Sequence, residues 1–209
     1  MMKTNESSNN IEQQIILAAK QVFIKNGYAE TSMSDIAVKA GINRSGLHYY
    51  FRTKEKMFNA VFADIVLSFI PKIHDIVSWD IPIGERLSNI VDVYFELFKK
   101  EPRLPMFILK EIQRDAMHLF NTVDKSGIYQ YVKKIRFSLE AEMKNGSMKQ
   151  VPVEFVFYTL YGMIVLPFVT RPLADIISGK GRNCDFDDKL AKWKMYIVSQ
   201  MEYMLSPDK

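Results

Sequence analysis

The chain has 209 residues, 48% of them hydrophobic and 25% charged, with a formal net charge of +4. That apolar content excludes a disordered chain and suffices for one ordinary domain, or for a small domain attached to a larger one. A single cysteine, Cys184, excludes an internal disulfide, and no cysteine–histidine spacing fits zinc. The start of the chain is polar and lacks a signal-peptide core, so a reducing, cytoplasmic setting is expected. Residues 1 to 56 carry eight basic side chains against five acidic ones, which puts most of the positive excess where a polyanion would be met.

Residues 1–10 are polar and are expected to form a disordered tail. From Ile11, the positions Ile11, Ile15, Ala19, Val22 and Phe23 recur at the helical period, and Gly27 ends that stripe. The stretch from Thr31 to Lys54 is the most informative in the chain. Ser32 is a good N-cap and Asp35 completes an acidic capping box, so a helix is predicted from Met33, with Ile36, Ala37 and Ala40 inward. Gly41 stops it, because a residue past a helix end often needs positive φ. Asn43 caps the next helix, which buries Leu47 and Phe51. Two short helices about a glycine turn make a helix-turn-helix, whose second helix can enter the major groove of DNA. With Leu47 and Phe51 inward, Arg44, Ser45, His48 and Tyr49 fall on the outer face, where they can bond base edges or phosphates.

Here the chain is similar to the DNA-binding domain of TetR-family transcriptional regulators. The matching residues are Gly27-Tyr28, Thr31-Ser32-Met33, Asp35-Ile36-Ala37, Ala40-Gly41-Ile42, Leu47, Tyr50-Phe51 and Lys54-Glu55, without a gap over about a quarter of the chain. Two departures stand out. Ser45-Gly46 replaces the usual glycine followed by a small residue, and His48 replaces a phosphate-binding tyrosine. The resemblance implies DNA contacts from Thr31, Ser32, Asn43, Arg44, Ser45, Gly46, His48, Tyr49 and Lys54, the last of these to phosphate.

Thr53 caps a further helix, predicted from Lys54 to about Phe69, with Met57, Phe58, Val61, Phe62, Ile65 and Val66 on its apolar face and Pro71 at its limit or at a kink. After a break at Pro82 and Gly84, helices are predicted over Glu85 to Lys99, from Arg103 through Met117, and over Ile128 to Lys144. Val151 to Thr170 has one charge, Glu154, and is of borderline length for a membrane span. Pro152, Gly162, Pro167 and the hydroxyls of Tyr158, Thr159 and Tyr161 favour instead a helix buried in a core or a subunit interface. Arg171 to Phe186 reads as a loop, and Asp187 to Leu205 as a last helix with Leu190, Trp193, Ile197 and Met201 in one stripe.

The expected fold is therefore all-α. A disordered tail (1–10) precedes an N-terminal three-helix helix-turn-helix DNA-binding domain (11–55) and a larger C-terminal helical ligand-binding and dimerisation domain (56–209). No nucleophile elbow, phosphate loop, dinucleotide fingerprint or HExxH motif is present, so neither an enzyme nor a cofactor or metal is expected. His118, with Glu111, Arg114 and Asp115 nearby, reads either as a polar pocket or as an exposed helix face. The chain's 12 Met, 14 Phe and 10 Tyr suit an adaptable apolar pocket as well as an ordinary core. The resemblance tips that balance toward a cavity among the helices starting near Lys54, Glu85, Arg103, Ile128 and Val153. Tyr94, Phe98, Phe107, Gln113, Phe155 and Tyr158 are its candidate residues.

The implied partners are double-stranded DNA with a palindromic operator, a small apolar or amphipathic effector, and a second copy of the chain, without a membrane. The last two long helices would pair across the dimer, with Leu160 and Ile197 at the contact. The function expected is that of a ligand-responsive transcriptional regulator, a repressor released by its effector. The alternative left open by Ser45-Gly46 and His48 is a small-molecule-binding helical protein that has lost specific DNA binding.

Overall fold

The computed structural model describes residues 3–177 and 186–207. Among them every regular element is a helix: α1 (Lys3–Glu30), α2 (Met33–Ala40), α3 (Arg44–Tyr50), α4 (Lys54–Leu67), α5 (Ile70–Val77), α6 (Ile83–Lys100), α7 (Leu104–Lys125), α8 (Ile128–Lys144), α9 (Val153–Val169), α10 (Arg171–Ile177) and α11 (Phe186–Leu205). They form two compact units, Met1–Ser68 with Met106–Ile128, and Phe69–Pro105 with Tyr129–Lys209. The packing thus groups α4 and most of α7 with the helix-turn-helix.

In the first unit α1 packs on α2 and α4, and α2 on α3. The apolar stripes meet as their periodicity requires, with Ile15, Ala19, Phe23, Ile36, Leu47, Met57, Phe58 and Val61 fully or almost fully buried. Phe58 is the hub. Its ring lies edge-on to Phe23 (5.3 Å) and Tyr28 (5.0 Å) and also meets Phe62, Phe107 and His118. α1 is regular up to Gly27, whose φ of 81° breaks the helix in a conformation that favours glycine. The amide of Tyr28, just past the break, donates to Glu111 Oε1 at 2.8 Å, and Arg114 Nε donates to Glu111 Oε2 at 2.6 Å. Glu111 is almost completely buried. Its carboxylate thus satisfies an amide that the kink would otherwise orphan. The group of Glu111, Arg114, Asp115 and His118 is therefore neither an exposed face nor an empty polar pocket.

Several boundaries differ from the sequence expectation. α1 begins at Lys3 rather than Ile11, because nothing in residues 3–10 is a proline or glycine that would stop a helix from extending. The helix opened by Thr53 ends at Leu67, and Pro71 belongs to the first turn of the separate α5, where its missing N–H leaves no hydrogen bond unmade. α7 extends to Lys125 but is broken at Asp115 (φ −163°, ψ 83°), whose carboxylate then accepts from the amide of His118. Arg171–Ile177, read as loop, is helical, with the amides of Leu173 and Ala174 bonded to Thr170 O. The rest of that expected loop, with Cys184, lies outside the described residues.

In the second unit α6 packs on α5, α9 and α11, and α9 packs on α10 and α11. Its core is aromatic, with Phe168 edge-on to Phe95, Phe98 and Phe186. α9 is 17 residues long and contains Pro167. Among the described residues no helix is long and apolar enough to cross a membrane. Leu160 and Ile197, expected on the dimer face, point elsewhere. Ile197 is fully buried within its own protomer, and Leu160 lines an internal cavity.

Candidate functional site

The helix-turn-helix is assembled from its caps. Ser32 Oγ accepts from the Asp35 amide (3.1 Å) while the Asp35 carboxylate accepts from the Ser32 amide (3.0 Å), a reciprocal capping box. Hydrogen bonds from the Ser32 hydroxyl and then its amide hold the Asp35 carboxyl below its ordinary value. Gly41, at φ 68°, closes α2 with its amide on Ala37 and Val38 carbonyls. Asn43 Oδ1 then accepts from the Gly46 amide (2.7 Å) and the Ser45 hydroxyl (2.9 Å). A Cβ on Gly46 would sit 3.0 Å from Asn43 Oδ1. Glycine therefore permits this close cap, which accounts physically for one departure from the usual pattern.

α3 leaves Arg44, Ser45, His48 and Tyr49 exposed, Tyr49 at 81%, while Leu47 is fully buried. Ser32 and Asn43 are exposed at the helix starts, and Lys39, Arg52 and Lys56 add exposed cations to this unit. Two of the nine residues proposed for DNA contact are engaged within the fold. Thr31 is 2% exposed, and its hydroxyl donates to Gly27 O at 2.8 Å. Lys54 Nζ donates to Thr31 O (2.9 Å) and Ala29 O (3.2 Å) and lies 4.5 Å from the centre of the Tyr28 ring. Its ammonium thus caps the carbonyls at the end of α1. Lys54→Met is expected to lower unfolding stability by on the order of 1 kcal/mol, read as a shifted denaturant midpoint. An unchanged midpoint, with the salt slope of DNA binding reduced by about one, would instead mark a phosphate contact.

The second unit encloses a cavity of about 460 Å³, within the range of small-molecule sites. Its walls come from α5, α6, α8, α9 and the end of α11, including Val77, Leu87, Ile90, Leu139, Val156 and Leu160. α4 and α7 do not contribute, contrary to the expected enclosure, because both pack with the helix-turn-helix. Of the six candidate ligand residues, Tyr94 and Tyr158 line the cavity. Phe98 is fully buried beside it, 5.8 Å from the Tyr94 ring. Phe155 is 56% exposed on α9, and Phe107 and Gln113 lie on α7 in the other unit.

Sequence reading missed Arg86 and Tyr161. Arg86, 9% exposed, holds Glu142 at two points, 2.7 Å each, and donates to Val77 O at 3.0 Å. The signal was available. A lone arginine stood in the apolar spacing of Ile83, Leu87 and Ile90 on α6. Tyr161 and Tyr94 meet edge to face at 6.0 Å. Burial pushes the Tyr161 phenol up to about 12 and the Tyr94 phenol higher still.

Residues 15–61 match the sequence pattern of bacterial regulatory proteins of the tetR family. The HTH-type transcriptional regulator TtgW of Pseudomonas putida is 32% identical over 92 residues, 42% of this chain and 69% of that protein. The fatty acid metabolism regulator protein of Bacillus subtilis (strain 168) is 23% identical over 152 residues, covering 72% of this chain and 78% of the relative. Among solved structures, the transcriptional regulator FadR from Bacillus subtilis, in complex with stearoyl-CoA, superposes with a TM-score of 0.67 at 21% identity, over 90% of this chain and 97% of that one. The fatty acid degradation regulator FadR from Bacillus halodurans does so with a TM-score of 0.65 at 20% identity, over 90% and 94%. A capped helix-turn-helix with a polar recognition face, and relatives that share it across most of their length, make this chain a member of the TetR family of bacterial transcriptional regulators, DNA-binding proteins that respond to small molecules.

Proposed function

We propose that the protein is a homodimeric repressor that holds a palindromic operator through two copies of α3, acts in the cytoplasm, and releases DNA when a molecule with a long apolar chain, such as a fatty-acyl compound, enters the cavity of its second unit. The observation that carries this reading is the apolar cavity, in a unit separate from the one that bears the exposed face of α3. The stearoyl-CoA bound by the Bacillus subtilis FadR supports the acyl class. The chain passes between the units at residues 68/69, 105/106 and 128/129, and these crossings are the covalent route by which cavity occupancy reaches α3. Release requires that the effector bind one arrangement more tightly than the other.

Selection from random duplexes tests the DNA half. It is expected to return a two-fold site with half-sites about 34–36 Å apart, and a single asymmetric half-site would contradict it. Arg44, exposed on the first turn of α3, is placed to read a guanine by two hydrogen bonds. Arg44→Ala is expected to cost about 1–3 kcal/mol on the selected site and to relax preference at one position, measured on selected and scrambled duplexes. Equal weakening of both duplexes would make Arg44 a phosphate contact.

The dimer contact is proposed on the outer stripes of α9 and α11. Phe155, Tyr158 and Leu166 follow one another at helical spacing, as do Tyr196 and Tyr203, and all are more than half exposed. Leu166→Asp with Tyr196→Asp places charge on that face and is expected to weaken dimerisation by at least about a hundredfold, in sedimentation or light scattering. Dimer affinity unchanged in the double variant would put the contact elsewhere.

A further inference from the structure

The cavity's polar groups narrow the effector beyond an apolar chain, an inference that rests on the reading of the cavity given above. Among its described lining residues Arg86 alone is charged, and the other polar side chains are the phenols of Tyr94, Tyr158 and Tyr161. Arg86 is already committed. Its two terminal nitrogens hold both oxygens of Glu142, and one of them also donates to Val77 O. An anionic head group entering there would meet the Glu142 carboxylate and would be stripped of water among aliphatic walls, with no free cation to offset the loss.

The phenols are differently placed. Tyr94 comes from α6 and Tyr161 from α9, and their edge-to-face contact brings two hydroxyl-bearing rings together on the cavity wall. Neither hydroxyl makes a hydrogen bond to a described residue. Burial keeps both phenols protonated through the physiological range, so each remains a donor.

We propose that Tyr94 and Tyr161 form the recognition point for an uncharged carbonyl, such as that of an ester or thioester, at the end of the effector's apolar chain, and that the Arg86–Glu142 pair excludes the corresponding free carboxylate. Tyr94 and Tyr161 are then specificity-determining residues of the cavity, and α6 and α9 are joined through the ligand when it is bound.

Methyl laurate, laurate and dodecane separate the contributions of carbonyl, charge and chain. Their affinities are compared by displacement of an environment-sensitive dye from the full-length protein at about pH 8, where laurate is ionised. The ester is expected to bind at least about tenfold tighter than either the acid anion or the hydrocarbon. Tyr94→Phe with Tyr161→Phe, which keeps both rings, is expected to bring the ester down to the hydrocarbon's affinity while leaving dodecane binding unchanged. Tyr161→Phe alone is expected to give an intermediate loss, and an unchanged melting midpoint shows that the fold is intact. Laurate bound as tightly as methyl laurate, or ester preference retained in the double variant, overturns this inference and leaves the apolar cavity standing. Binding of none of the three probes overturns the cavity reading itself, and this inference with it.

Discussion

Phe58→Ala is expected to abolish DNA binding by unfolding the first unit. The ring is fully buried and is the shared neighbour of Phe23, Tyr28, Phe62, Phe107 and His118, drawn from α1, α4 and α7. Truncating a buried phenylalanine costs about 3–5 kcal/mol, the lost transfer free energy plus the cavity left behind. Whole domains are stable by only about 5–15 kcal/mol, so most of this unit's margin would go. Chemical denaturation should show an earlier midpoint, and DNA affinity should fall for every sequence alike. Phe58→Leu, which keeps much of the volume, should lose distinctly less. An alanine variant that melts with the wild type would mean that these aromatic contacts are not what holds α4 and α7 to the helix-turn-helix.

Glu142→Ala is expected to destabilise the second unit by about 3–5 kcal/mol, because it leaves the Arg86 guanidinium buried without its anion. The side chains of Arg86 and Glu142 are 10% and 21% exposed, so solvent can compensate little. Arg86 Nε is already buried without a hydrogen-bond partner, which leaves this arginine more dependent on Glu142. Removing both charges should behave differently. Arg86→Met with Glu142→Leu replaces the pair by apolar groups of similar size, and such exchanges are often neutral or stabilising by about 1–4 kcal/mol. Thermal melts of the single and double variants measure the contrast. Equal destabilisation of both would mean that packing, rather than the unpaired charge, sets the cost.

The helix-turn-helix was legible because its signals are local. Ser32, Asp35, Gly41 and Asn43 act within three or four residues of themselves, and each makes the cap or turn that its side chain predicts. Lys54 was misread for the opposite reason. Its partners, the carbonyls of Ala29 and Thr31, lie more than twenty residues earlier, and a lysine at a helix start looks the same whether it meets phosphate or its own backbone. The cavity was harder still. Phe107 and Gln113 carry side chains suited to a pocket, but α7 runs with the first unit, and periodicity along one helix does not say which neighbour it meets. Ile197 shows the same limit, since an inward stripe on α11 reads alike for a protomer core and for a dimer seam. Gly27 was read as a helix end, but the burial of Glu111 against Tyr28 N, 83 residues away in sequence, could not be seen from either position.

Reciprocal titration of operator and effector tests the coupling between the two units most directly. Fluorescence anisotropy on the selected duplex gives the dissociation constant with and without a saturating long-chain acyl thioester, and dye displacement gives the thioester's affinity with and without the duplex. Thermodynamic linkage requires the two ratios to be equal, and typical couplings are about 5–150-fold. The expected result is a matched weakening in that range, lost when Leu160, on the cavity wall, is replaced by Trp. Thioester binding that leaves DNA affinity unchanged would contradict a ligand-released repressor.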